Sequence, residues 1–110
     1  MSQHVFHPGQ RWVSHSETEL GLGMVEFIEG RHVTFLYPAV EETRVYALNN
    51  APLSRVIYSV GDTVQPIDGS ALTVDQTQEH NNCMIYLCVD EHGEQVVLHE
   101  MDLNSVGAFS

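Results

Sequence analysis

Lysine is absent from these 110 residues, and the only strong cations are Arg11, Arg31, Arg44 and Arg55. The net charge is −11, and residues 59–110 hold nine acids with no Lys or Arg. A chain that neutralises phosphates needs a basic surface, because counterion release supplies most non-specific affinity. The second half cannot provide one, so direct nucleic-acid binding, expected to be weak or absent, would have to use the four arginines. An acidic half suits a basic protein surface, or simply keeps the chain soluble. No GxxxxGK[ST] loop occurs, and no lysine could complete one. Also lacking is any apolar run near the roughly 20 residues that span a bilayer. The N-terminal "MSQHVFHPGQRW" has neither a basic start nor an apolar core, so it does not read as a secretory signal. No membrane association is expected, and the two absences together read as cytoplasmic. Cysteine is nearly absent: Cys83 and Cys88 stand an odd spacing apart in one apolar run, which sends them to opposite faces of a strand. A bridge between them is not expected, and reduced thiols fit the same compartment.

A helical period longer than about a turn is missing too. What is present is β. "RHVTFLYP", "ETRVYAL" and "SRVIY" in the first half are rich in strand formers, as are "ALTVDQTQ", "CMIYLCVD" and "EQVVLHE" in the second. Turn signals separate them: "PG" at 8–9, "EG" at 29–30, "NN" at 49–50 and 81–82, "VGD" at 60–62, "DG" at 68–69 and "HG" at 92–93. The halves echo each other. "GQRWV" and "GDTVQ" are 52 residues apart, "TFLY" and "IYLC" 51, "LSRV" and "LNSV" 50. A duplication is expected, each half running through a strand, a long hairpin, a fourth strand, a one-turn helix ("NAPL", "EMDL") and a short closing strand. That order is the order of an SH3-like or Tudor-like barrel. The expected fold is therefore all-β: two small, bent, SH3-like/Tudor-like (KOW-like) five-strand barrels in tandem. Residues 1–8 are expected to form a flexible tail, with barrels over 9–58 and 59–110. Val33, Phe35 and Val45 are the expected core of the first, and Ile85, Leu87 and Val97 of the second.

Catalytic and cofactor signals are poor. In "SETELGLGMVEF" the pair Gly21 and Gly23 lacks the third glycine of a dinucleotide loop, and Glu26 stands where it would be. Ser16 and Glu19 match a capping box, but LGLG is a poor helix interior. The glycines are expected to supply positive φ or a close backbone approach at the start of a bent strand. Among seven histidines, His4 and His7 lie in the expected tail. His15, His32, His80, His92 and His99 lack the spacing that presents two imidazoles to one ion. Ser14, Ser16 and Ser54 have no neighbours that suggest an activated nucleophile. Glu41–Glu42 and Asp90–Glu91 fall at expected hairpin turns. Trp12, Phe35, Tyr37, Tyr46 and Tyr58 could line a cage for a methylated cation, but a barrel this small needs them first as core. No catalytic residue, cofactor or metal ligand is assigned.

"GQRWVSHSETELGLGMV" followed by "VTFLYPAVEETRVYALNNAPLSRVIYSVGD" resembles the N-terminal end of the RapA family of RNA polymerase-associated Swi2/Snf2-type ATPases. The likeness is dense over residues 8–62, joining GQRW, ELGLG, YPA, R-x-YA and APL-x-RV in order. Beyond residue 63 it rests on length and strand pattern. The resemblance implies two bent Tudor/KOW-like barrels that precede the motor, contact RNA polymerase and restrain the ATPase during polymerase recycling. The helicase motifs of that family lie downstream and are absent here, so the chain reads as a non-enzymatic piece of a larger protein. Expected partners are RNA polymerase and the downstream motor. Candidate partner-binding residues are Arg11, Trp12, Arg44 and Arg55 in the first barrel. On the hairpin tip of the second they are Asp90, Glu91 and Glu94. The alternative is a KOW-like nucleic-acid-binding module that uses the four arginines. Calorimetric titration of the chain with ATP and Mg²⁺ is expected to give no saturable heat, because no loop cradles a phosphate; a saturable heat would contradict this.

Overall fold

The computed structural model describes residues 6–106. Their backbone is all β apart from two single 3₁₀ turns, and it divides into two units. The first comprises the described residues of Met1–Val56 and Ser105–Ser110, the second those of Ile57–Asn104. In the first, β1 (Arg11–Ser14), β2 (Gly23–Glu29), β3 (His32–Tyr37), β4 (Glu42–Ala47) and β5 (Leu53–Arg55) form one antiparallel sheet in the order β4-β3-β2-β1-β5. In the second, β6 (Thr63–Val64), β7 (Leu72–His80), β8 (Cys83–Val89) and β9 (Gln95–His99) pair antiparallel in that order. Among the described residues, four strands stand here where five were expected. An isolated bridge between Pro66 and Leu103 takes the place of the closing strand.

The one-turn helix expected at "EMDL" is present as a 3₁₀ turn over Glu100–Asp102. The one expected at "NAPL" is not; Leu48–Asn50 form a plain turn. Pro52 explains the difference, since it disfavours helical backbone at the preceding Ala51. The other 3₁₀ turn, Thr18–Leu20, lies in the β1–β2 connection, and its cap residue Glu17 makes no side-chain capping bond. Instead the Ser14 hydroxyl accepts the N–H groups of Ser16 and Glu17, at 3.3 and 3.0 Å. The capping-box reading of Ser16 and Glu19 is therefore replaced by a serine turn.

The echo between the halves is carried by the backbone. Gly9 and Gly61 have φ of 93° and 95°. Their N–H groups donate to the carbonyls of Val25 and Val74, at 3.0 and 2.8 Å, and those valines donate back to Gln10 and Asp62. The Gln10 side chain accepts the N–H of His7, as that of Asp62 accepts the N–H of Ser59. A register shift follows each valine, between Val25 and Phe27 and between Val74 and Gln76. Such bulges sharpen local twist and bend, so each long strand curls at the equivalent place. The second hairpin turns through Asn81 and Asn82, both at positive φ (53° and 66°) between the paired His80 and Cys83. Two left-handed residues in a two-residue loop are what the twist of the flanking strands demands, and asparagine tolerates them.

The core of the first unit follows the alternation of β3: Val33, Phe35 and Tyr37 are each fully buried. Phe6, Trp12, Leu20, Val25 and Leu53 complete it. The Phe6 ring lies 4.5 Å from Trp12 and edge-on to Phe35 at 5.7 Å. The expected flexible tail thus fails at Phe6, whose burial anchors the start of the fold; residues 1–5, including His4, lie outside the described residues. Gly23 meets the close-approach expectation, because a Cβ there would stand 2.7 Å from Tyr37 Cε1. Gly21 meets the other, with φ of 78°.

Val45 corrects the expected core, being 63% exposed. It pairs with Thr34 on the outer face, while Tyr46 pairs with Val33 and shares a 2.7 Å hydrogen bond with the Tyr37 hydroxyl. In the second unit the expected set is displaced by one residue. Tyr86, Cys88 and Leu98 are buried with Val64, Leu72, Val74 and Leu103, whereas Ile85 and Leu87 are half-buried and Val97 is 58% exposed. β8 is apolar at nearly every position, so alternation alone could not choose its face. Tyr86 takes the inside: its ring meets Tyr58 at 6.0 Å and its hydroxyl accepts the Tyr58 N–H. Phe35→Ala, which removes the ring at the centre of the first core, is expected to destabilise the chain by about 3–5 kcal/mol, measured by urea denaturation; a loss below about 1 kcal/mol would contradict its central place.

Candidate interaction surfaces

Arg11 was expected on a partner surface, yet it is 1% exposed. Its Nε donates to the Gly23 carbonyl at 3.1 Å and its Nη2 to the Leu22 carbonyl at 3.0 Å. Nη2 also reaches the Ser105 hydroxyl. The buried guanidinium thus satisfies carbonyls that the Gly21–Gly23 entry to β2 would otherwise leave unpaired. Trp12, also expected outside, is 8% exposed, and its indole N–H donates to Gln10 Oε1 at 3.1 Å. Both residues are structural, not accessible contacts. Sequence reasoning missed this because β1 buries both its faces, which is unusual for a strand carrying arginine.

Arg44 is partly exposed and held by carboxylates, with Glu42 at 2.7 Å and Glu17 at 3.7 Å. The Glu42 carboxylate raises its pKa further. Arg55 is half-buried on β5 opposite Trp12, and Arg31 is exposed in the β2–β3 loop. Of the four arginines, one is buried and one is neutralised by two acids. The aromatics do not form a cage either, because Trp12, Phe35 and Tyr37 are core and Tyr58 belongs to the other unit. Among the described residues no three His, Cys, Asp or Glu side chains come together as a metal group. His15 Nε2 meets Ser54 Oγ at 2.5 Å in an exposed pair. Neither cysteine is in a disulfide, and burial pushes the Cys88 thiol above its ordinary pKa.

The acidic tip of the second unit is the β8–β9 loop, residues 90–94. Glu91 and Glu94 are exposed there, and Glu91 lies 3.4 Å from the His92 ring. Asp90 is different, since its Oδ1 accepts the N–H groups of His92 and Glu94, at 2.8 and 2.9 Å. Asp90, grouped with Glu91 and Glu94 as a candidate partner contact, is therefore a structural acceptor as well. Asp90 organises the turn, and only Glu91 and Glu94 are free of that task.

Beside this loop lies a feature that sequence reasoning assigned to the core. Gln76 pairs with Leu87 and Leu87 with Val97, while Ile85 pairs with His99, so Ile85, Leu87 and Val97 share the outer face. A groove of about 170 Å³ there is lined by Asp75, Gln76, Leu87, Val96 and Val97. A strand apolar on both faces was the available signal, because only one face can meet a core as small as this one. Hydrogen bonding from the Glu94 and His92 amides holds the Asp90 carboxyl below its ordinary 3.8. Its stabilisation of the loop is complete above about pH 4 and is lost as pH falls through the depressed value. NMR protection of the His92 and Glu94 amides is expected to drop over that acid range, and Asp90→Asn is expected to remove the transition.

Comparison with known proteins agrees with this geometry. Residues 6–56 match the family described as RapA N-terminal Tudor like domain 1, and residues 58–110 the family described as RapA N-terminal Tudor like domain. Relatives named RNA polymerase-associated protein RapA occur in Pseudomonas fluorescens (strain Pf0-1) and Cronobacter sakazakii. The first is 47% identical over 100 residues, covering 91% of this chain and 10% of the relative. The second is 46% identical over 107 residues, covering 96% of this chain and 11% of the relative. The chain thus spans about a tenth of the length of the relatives it matches. What is matched is the Tudor-like part; the ATPase motifs that the resemblance places further along are not in these 110 residues. With two Tudor-like domains in tandem and both halves matched, the chain belongs to the RapA family, as its N-terminal Tudor-like region.

Proposed function

We propose that this region is a non-catalytic docking and regulatory module that contacts RNA polymerase and restrains the motor of the longer protein. The observation that carries the reading is the second unit: nine acids, no Lys or Arg, and an outer apolar stripe near the acidic loop on which Val97 is exposed and Ile85 and Leu87 are half-buried. Such a surface repels phosphates and suits a basic, partly apolar protein. The relatives' shared name supplies RNA polymerase as that protein. The nucleic-acid alternative gains nothing from the geometry, because burial removes Arg11 and two carboxylates occupy Arg44. Restraint of the motor would act through the same acids, set against the basic groove that a nucleic-acid motor offers its track. Coupling between exposed charges decays over about 8 Å at physiological salt, so only acids held close to the partner contribute. Glu91 and Glu94 qualify.

Two measurements test this. The chain is expected to bind purified RNA polymerase core enzyme saturably, more weakly as salt rises; no binding at low salt would overturn the docking role. In a full-length RapA protein carrying this region, Glu91→Gln with Glu94→Gln is expected to raise basal ATPase activity at low salt, with the difference from wild type narrowing as salt rises. Equal activities at low salt would exclude an electrostatic restraint at this loop.

A further inference from the structure

Among the described residues, the two sheets end in four edge strands, and three of them are guarded. β6 has two residues, β5 has three with Arg55 among them, and β4 carries Glu42 and Arg44. Short edges and charges are the usual protection against pairing with another chain. β9 is the exception: Gln95, Val96, Val97, Leu98 and His99 make a five-residue edge with no acid, Lys, Arg, Pro or Gly.

The ladder shows which of its backbone groups are open. Asp90 N–H donates to the Glu94 carbonyl at 2.9 Å. Antiparallel pairs alternate between bonded and non-bonded, so the bonded pairs that follow are Cys88 with Val96 and Tyr86 with Leu98. Gln95, Val97 and His99 occupy the other positions of the register, and their N–H and C=O groups point away from β8. An open row of this kind pairs readily with an added strand.

Side chains and charge say what such a strand would look like. The outward backbone of Val97 lies beside its own exposed side chain, which continues the stripe of Leu87 and Ile85. Acids bracket the edge, with Glu91 and Glu94 before its first residue and Asp102 in the 3₁₀ turn after its last. Asp75 lines the groove beside Leu87 and Val97. We propose that β9 is the docking edge of this region: an extended segment of RNA polymerase, apolar at alternate positions and flanked by Lys or Arg, adds to it as a further antiparallel or parallel strand. The proposal rests on the docking role above and names its surface and the chemistry of its partner. Main-chain bonds to Gln95, Val97 and His99 supply the alignment, the stripe supplies apolar burial, and the bracketing acids select a cationic segment.

The test uses the 110-residue chain, purified RNA polymerase core enzyme and two variants. Val97→Pro deletes an outward N–H that the sheet does not use, a position where an edge strand tolerates proline. Val97→Lys keeps every backbone group but puts a cation in the stripe. Each is expected to weaken binding about tenfold or more: for the proline, that is the scale of one or two lost main-chain hydrogen bonds, and for the lysine, it follows from a cation set against a cationic segment and from the lost apolar contact. Thermal melting is expected to stay near wild type for Val97→Lys; should Val97→Pro fail to fold, the lysine variant decides. In hydrogen exchange, the amides of Gln95, Val97 and His99 are expected to be fast in the free chain and protected in the complex. Wild-type binding with folded variants of equal affinity, or with those three amides still fast, overturns the β9 edge while leaving the docking role standing. Failure of the wild-type chain to bind core enzyme overturns both.

Discussion

A hydrogen bond from a left-handed glycine to the carbonyl of a buried valine sets the curvature of each unit. Gly9 makes it to Val25 and Gly61 to Val74, and in both places the long strand bulges immediately afterwards. Without that bend a sheet of four or five short strands would stay open, and so few residues could not close around a core. Chain this short buries only about 60% of its unfolded surface even when folded well. The bend gathers Phe35 and Tyr37 into one core with Trp12 and Phe6 in the first unit, and Tyr86, Val74 and Leu98 are buried in the second. The equivalence of these bonds, and of the His7–Gln10 and Ser59–Asp62 turns beside them, makes the two units one motif used twice.

The units differ in how they use buried charge. In the first, a buried arginine is absorbed into the fold: Arg11 takes up the carbonyls of Leu22 and Gly23 and the hydroxyl of Ser105. Glu100, similarly buried in the second, accepts the Met84 N–H at 2.8 Å with its carboxylate. A charge spent in this way is unavailable to a partner. The remaining acids of the second unit lie largely outside, and Glu91, Glu94 and Asp102 flank along the chain a β9 edge that carries no acid, Lys or Arg of its own. Under the docking proposal, acids flanking an uncharged edge would disfavour pairing of two copies there, because like charges would meet. On the docking proposal the same acids favour a cationic segment, which would combine negative and positive selection in one surface.

Much of the fold could be read directly. Alternation in "HVTFLY" pointed Val33 and Phe35 inward, and the turn chemistry of Gly30 and of Asn81–Asn82 marked the hairpins. Alternation failed where a strand is apolar on both sides, as for Ile85 and Leu87, and at the edge strand β4, where Val45 lies outside and Tyr46 turns in. The interaction surface was harder to see. Arg11 and Arg44 carry the same formal charge, yet one is sealed among carbonyls and the other sits between two carboxylates. Asp90 resembles Glu91 in a sequence but serves as a turn acceptor in space.

Taken alone, then, the sequence determined what depends on neighbours along the chain: β structure from side-chain type, turns from glycine and asparagine, the doubled plan from its own echo, and the separation of charge between halves. Tertiary structure decided what depends on neighbours across strands. Register chose the buried face of β8, pairing order left β9 with an open side, and close approach buried Arg11 and excluded a side chain at Gly23. The physical reason is that a strand's alternation defines two faces but assigns neither. Only the partner strand and the space beneath it determine which face is inside.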